Sequence, residues 1–114
     1  MRPGALLLLL PLVAALAGAT PVAAQVGNLI VEPYLQSPGP TSMVVGWETA
    51  AGNGSEVEFG LDAALGQAST GSSIASGGGA FIHHVELTGL TPDTRYYYRV
   101  ITGTTVSATH FFRT

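Results

Sequence analysis

The stretch Leu87 to Val100, LTGLTPDTRYYYRV, limits the fold more than any other part of the chain. Gly89 and Pro92-Asp93 are turn residues, so the chain must change direction between Leu87 and Thr94. Beyond the turn, Tyr96, Tyr98 and Val100 alternate with Arg95, Tyr97 and Arg99. A period of two describes a strand with one apolar face and one amphipathic face. A Tyr just past such a turn can send its hydroxyl back to backbone left unpaired where the chain crosses between sheets. That arrangement, a tyrosine corner, belongs to β-sandwich domains. Tyr96 is the residue predicted to make it.

The other segments agree with an all-β reading. Asn28 to Gln36 is a first strand, with Pro33 restricting it to an edge or a bulge. Ser37-Pro38-Gly39-Pro40 is a turn. Thr41 to Glu48 follows as a central strand, with Met43, Val45 and Trp47 on one face and Val44, Gly46 and Glu48 on the other. Asn53-Gly54 is a hairpin signal. In Ser55 to Gly60, Val57 and Phe59 alternate with Glu56 and Glu58. Leu61 to Leu65 reads as one helical turn or a loop. Gly66 to Gly79 is rich in Gly and Ser and reads as a mobile loop with at most one weak edge strand. Ala80 to Thr88 is a strand with Phe81, His83, Val85 and Leu87 on one face. Thr104 to Arg113 closes the domain, with Val106, Ala108, His110 and Phe112 on one face. This gives six to seven short strands with no sustained helical period, an antiparallel β-sandwich.

The first 24 residues read differently. Arg2 precedes an apolar run, Leu6 to Leu16, and Val22-Ala23-Ala24 offers small residues ahead of a cut before Gln25, with Ala19 a second possible cleavage point. This is the pattern of a secretory signal peptide, too short to span a membrane. The division is therefore 1–24 leader and 25–114 domain, with a secreted or extracytoplasmic destination and no membrane contact after cleavage. The chain has no Cys, so no disulfide supports the small core. Of its four basic residues, Arg2 lies in the leader, leaving Arg95, Arg99 and Arg113 against seven acids. That balance argues against nucleic acid as a partner.

Residues with chemical potential are few. His83 and His84 are strand neighbours that point to opposite faces and cannot easily share an ion. His84 and Glu86 share a face and could make half a metal site, or simply a solvated strand face. His83 and His110 fall on apolar alternations and read as strand-end residues with local hydrogen bonds. Glu56 and Glu58 lie on one solvated face with no cleft between them, unlike a glycosidase pair. Tyr97 with Arg95 and Arg99 forms a candidate contact patch, or an ordinary exposed strand. Asn53-Gly54-Ser55 has the form of a glycosylation sequon. Gly77 to Gly79 lacks the Lys-Ser/Thr and the helix that phosphate loops need. The expectation is that no residue of this chain is catalytic, cofactor-binding or metal-binding.

Leu90, Pro92, Thr94 and Tyr96 at their spacing, with Val45-Gly46-Trp47 before them, resemble a fibronectin type III module. A narrower set is more specific. Pro33-Tyr34-Leu35-Gln36, Trp47-Glu48-Thr49, Val57-Glu58-Phe59-Gly60, His84-Val85-Glu86-Leu87, Gly89-Leu90-Thr91-Pro92, Tyr96-Tyr97-Tyr98-Arg99-Val100 and Phe112-Arg113-Thr114 together resemble the N-terminal domain of purple acid phosphatases and related secreted metallophosphoesterases. The resemblance implies a fibronectin-like domain packed beside a C-terminal metallophosphatase domain that holds a dinuclear metal centre. The motifs of that second domain do not occur in these 114 residues. The resemblance therefore implies acid phosphatase activity and metal binding for the parent architecture, not for this chain. The alternative is a free-standing secreted fibronectin type III-like module used for binding or adhesion.

Overall fold

A computed structural model describes residues 28–114. The leader, residues 1–24, lies outside the described residues. All the regular structure described is β, and the strands are β1 Leu29–Gln36, β2 Met43–Thr49, β3 Glu56–Gly60, β4 Gln67–Thr70, β5 Ser72–Gly77, β6 Ala80–Leu87, β7 Arg95–Thr102, β8 Thr105–Val106 and β9 His110–Arg113. They form two antiparallel sheets. One has the order β1-β2-β6-β5; the other has β4-β3-β7, with β8 and β9 both pairing the far side of β7.

The core is what the alternations predict. Met43, Val45 and Trp47 from β2, Val85 and Leu87 from β6, Val57 and Phe59 from β3, and Tyr96, Tyr98 and Val100 from β7 are all buried, with Leu90 and Phe112. Apolar side chains at every second position of four strands leave water together, and that burial drives the two layers onto each other. Pro33 sits in β1, an edge strand, within the register shift between Val31 and Tyr34. Across from it, the ring of Tyr34 lies over Gly46, where a Cβ would be 2.6 Å from the ring.

Four expectations need correction. Nine strands replace the expected six to seven among the described residues. The segment Gly66 to Gly79, expected as a loop with at most one strand, contains β4 and β5. Its small polar side chains carry no periodic signal, but backbone hydrogen bonding to β3 and β6 needs none. Gly71 alone joins β4 and β5 as the chain crosses from one sheet to the other. A Cβ there would collide with the His84 carbonyl.

Asn53-Gly54 does not close a hairpin, because β2 and β3 lie in different sheets. It forms an arch between them. The final strand is broken in two: Thr105 and Ser107 are buried, Ala108 and Thr109 are exposed, and Phe112 is buried again. The alternation slips by one residue at the break, so Val106 and Ala108 do not share a buried face with Phe112. Leu61 to Leu65 is a turn, not a helical one by pattern, closed by Leu65 N–H to the Asp62 carbonyl at 3.0 Å.

Candidate functional site

The tyrosine corner forms as predicted. The Tyr96 hydroxyl accepts the Thr91 backbone N–H at 2.8 Å, while its ring packs between Phe59 and Phe112. Thr114 completes this end. Its hydroxyl donates to the Thr91 carbonyl at 2.6 Å and accepts from the Thr94 N–H at 2.9 Å.

The largest departure from expectation is His83. It is not a strand-end residue with a local bond. It is fully buried in the middle of β6, stacked on Trp47 with ring centroids 5.0 Å apart. Its Nε2 lies 2.8 Å from the Thr49 hydroxyl and its Nδ1 lies 2.8 Å from the Ser55 hydroxyl. Thr49 also donates to the Gly52 carbonyl, at 3.3 Å. Ser55 has the matching carbonyl, Asn53 O at 3.5 Å, so in either tautomer one hydroxyl accepts from the ring N–H and the other donates to the bare ring nitrogen. Close by, Trp47 Nε1–H donates to the Thr102 hydroxyl at 2.9 Å, which donates to the Gly54 carbonyl at 2.7 Å. Burial first, and the neighbouring His84 second, hold the His83 pKa below its ordinary value of 6.5. The imidazole is thus neutral and saturated.

A serine bonded to a histidine invites a nucleophile-and-base reading. Here the third partner is a hydroxyl in place of a carboxylate, and the imidazole has no exposure. No substrate reaches this base. Its work is structural, tying β2, β6 and the Asn53-Gly54 arch together.

His84, one residue on, faces outward into a shallow groove lined with Glu86, Val44, Ser37, Thr70, Gly71, Ser72 and Thr88. The shared face of His84 and Glu86 is as expected. Among the described residues no three of His, Cys, Asp or Glu come together, so this pair stays at two donors. A dinuclear centre takes many more ligands around one cavity, and the residues present here do not fit such a group. His110 stands against Tyr98, its Nε2 buried without a hydrogen bond and 3.8 Å from a Glu32 carboxylate oxygen.

Glu56 and Glu58 do lie on the outer face, and Glu58 is engaged by Arg99 at 2.6 Å. The expected patch is rearranged for that reason. Arg99 is turned toward Glu58, and the Arg95 guanidinium sits 4.5 Å over the ring of Phe111, not over Tyr97. Phe111, paired with Tyr97 across β7 and β9, is 58% exposed. Sequence reasoning missed it, although Phe111 on the solvent side of Phe112 was the available signal. Asn53 is exposed in the arch, but the Ser55 hydroxyl of its sequon is held by His83. Gly77, Gly78 and Gly79 all have positive φ and serve the tight β5–β6 turn.

Residues 30–114 match the family described as Purple acid Phosphatase, N-terminal domain. No curated protein matches the chain. Among solved structures, PhoD is similar with a TM-score of 0.63 and 20% identity, over 83% of this chain and 20% of that one. The sensor domain of the anti-sigma factor RsgI4 in Pseudobacteroides cellulosolvens is similar with a TM-score of 0.54 and 15% identity, over 79% of this chain and 97% of that one. At these identities the two structures speak to fold. The chain spans one fifth of the length of PhoD.

Proposed function

The chain belongs to the family of purple acid phosphatase N-terminal domains, and from that premise we propose that it is the non-catalytic β-sandwich of an exported, metal-dependent phosphoesterase. In this reading residues 1–24 are a cleaved leader and residues 25–114 a fibronectin type III-like domain. It stands before a C-terminal metallophosphatase domain that carries the metals and the chemistry. One observation carries the reading: a family match over residues 30–114 whose histidines are dispersed. His83 is sealed in the core, His84 has one carboxylate neighbour on its strand face, and His110 leans on β1. Hydrolysis by a metal-bound hydroxide needs those groups gathered at one cavity.

The test is direct. The purified chain should retain no stoichiometric iron, zinc or manganese by elemental analysis. It should leave an aryl phosphate unhydrolysed above background. Metal near two equivalents with metal-dependent turnover would overturn the proposal. Mass spectrometry of exported protein should place the N-terminus at or near Gln25, and an intact Met1 would remove the leader from the reading.

A second reading has its own support. A solved domain of similar fold is covered almost end to end by this chain and is described as a sensor. A sandwich of similar fold thus also occurs as a sensor domain in a protein described as an anti-sigma factor. Binding of a surface glycan or protein by the purified chain, in a gene with no phosphatase sequence downstream, would favour it.

A further inference from the structure

The two sides of the sandwich treat their open edges differently. On one side, β1 carries Glu32, Pro33 and two register shifts, and β9 carries His110 and Arg113 beside the break after β8. Proline, charge and bulges are the devices that stop one sheet edge from pairing with another. On the opposite side, β4 ends one sheet and β5 ends the other, with Gly71 bringing both edges to the same flank. From Gly66 to Ala80 there is no charged residue and no proline. The one register shift in β5, between Ala75 and Gly77, falls next to the turn and leaves Ser72 to Ala75 regular. Among the described residues, nothing pairs with the outer edge of either strand.

Ile74 stands in the middle of this edge and is 65% exposed. It is paired with Ile82 of β6, on the outer face of the sheet. All its neighbours on β5 are Ser, Ala or Gly, so no side chain blocks close approach of another backbone.

We propose that β5 pairs with β5 of a second copy of this chain, antiparallel, about a two-fold axis perpendicular to the sheet and midway between the two copies of Ile74. A two-fold in that direction keeps the outer face outer and joins two four-stranded sheets into one of eight strands. It sets Ile74 directly opposite the partner's Ile74, and Ser73 opposite the partner's Ala75. The row Ile82–Ile74 then continues into the partner's Ile74 and the partner's Ile82, covering side chains that are otherwise wet. A second copy is the occupant because it brings both requirements at once, an uncharged edge and an apolar residue at the position that faces Ile74. The contact is self-complementary and closes on itself. One strand pair is a small interface, below about 1,200 Å², so the dimer is weak and concentration-dependent.

Sedimentation equilibrium over a concentration series tests this with the purified protein, and a monomer–dimer equilibrium is expected. Ile74→Lys places two ammonium groups opposite each other and should weaken the dimer at least ~10-fold, since like charges across a pair repel. Mixing Ile74→Lys with Ile74→Glu should restore a heterodimer. The chain has no Cys, so Ile74→Cys gives a single thiol, which should cross-link on mild oxidation, whereas Leu61→Cys, also exposed, should not. Unchanged unfolding midpoints certify that the variants fold. A chain that stays monomeric at the highest concentration, a dimer indifferent to Ile74→Lys, or equal cross-linking at Leu61→Cys would each overturn the proposal.

Discussion

The two ends of the sandwich solve the same problem in different ways. At each end an arch carries the chain between sheets and leaves backbone groups to be satisfied. At the Leu90 end the work is done by Tyr96, which accepts a hydrogen bond from Thr91 five residues before it. At the Trp47 end it is done by a set of side chains far apart in sequence: Trp47 with Thr102, His83 with Thr49 and Ser55, and Thr102 with Gly54. The corner is partly reached by water, which can replace a lost partner. The Trp47 end is buried, so a lost partner there leaves an unsatisfied polar group at full desolvation cost. The difference teaches that the conspicuous motif is the milder fastening, and the knot of scattered hydroxyls is the stronger one.

Trp47→Ala should show the largest effect. Emptying that site removes a fully buried indole and the bond to Thr102, at a cost of roughly 3–5 kcal/mol. In a domain with about 5–10 kcal/mol of total stability, chemical denaturation followed by circular dichroism should find it mostly unfolded or close to it. A midpoint near wild type would reverse the ranking of the two ends.

Acid should act on the same end. The folded-state pKa of His83 lies below its unfolded value of 6.5, so the unfolded chain binds the extra proton first. Stability is therefore full above about pH 6.5 and falls as pH drops below it, by up to ~1.4 kcal/mol per pH unit for one group. Denaturation midpoints measured from pH 7.5 downward should show this fall, and His83→Gln should flatten it. A wild-type profile with no slope below 6.5 would mean that the imidazole finds room for its second proton.

Tyr96→Phe keeps the ring between Phe59 and Phe112 and removes only the hydroxyl, for about 1 kcal/mol. Equal midpoints for this variant and wild type would strip the corner of its fastening role. Smallest of all, His84→Ala should stay within ~0.5 kcal/mol, although it sits next to the most consequential histidine of the chain. A large loss there would show that the groove face supports the knot beneath it.

The corner was readable because its defining bond, Tyr96 to Thr91, lies between Leu87 and Val100, where turn residues and period-two alternation act on neighbours. The buried faces of β2, β3, β6 and β7 were readable for the same reason. The role of His83 was not. Its position on an apolar face was visible, but Ser55 and Thr49 become its partners only when the arch at Asn53-Gly54 crosses between sheets, and the Asn-Gly pair spoke for a hairpin. Strands β4 and β5 were hidden because their side chains are small and polar, so only the backbone of β3 and β6 defines them. Phe111 was overlooked beside Phe112 because its outward face read only as solvent, and its neighbours Tyr97 and Arg95 reach it only once β9 aligns with β7. Of the candidate site residues, the separation of His83 from His84 and the outward face of Glu56 and Glu58 followed from strand geometry alone.

Trp47 is the single tryptophan of the chain, and it lies face to face with His83 in complete burial. The protein thus contains one indole fluorophore, placed at the junction that holds its layers together. Its emission should be blue-shifted in the native state and should move to longer wavelength only when that junction opens to water. Light from one residue then reports on the knot alone, silent about the corner at the far end, so the order in which the two ends come apart can be timed by comparing indole emission with the tyrosine signal in a stopped-flow experiment.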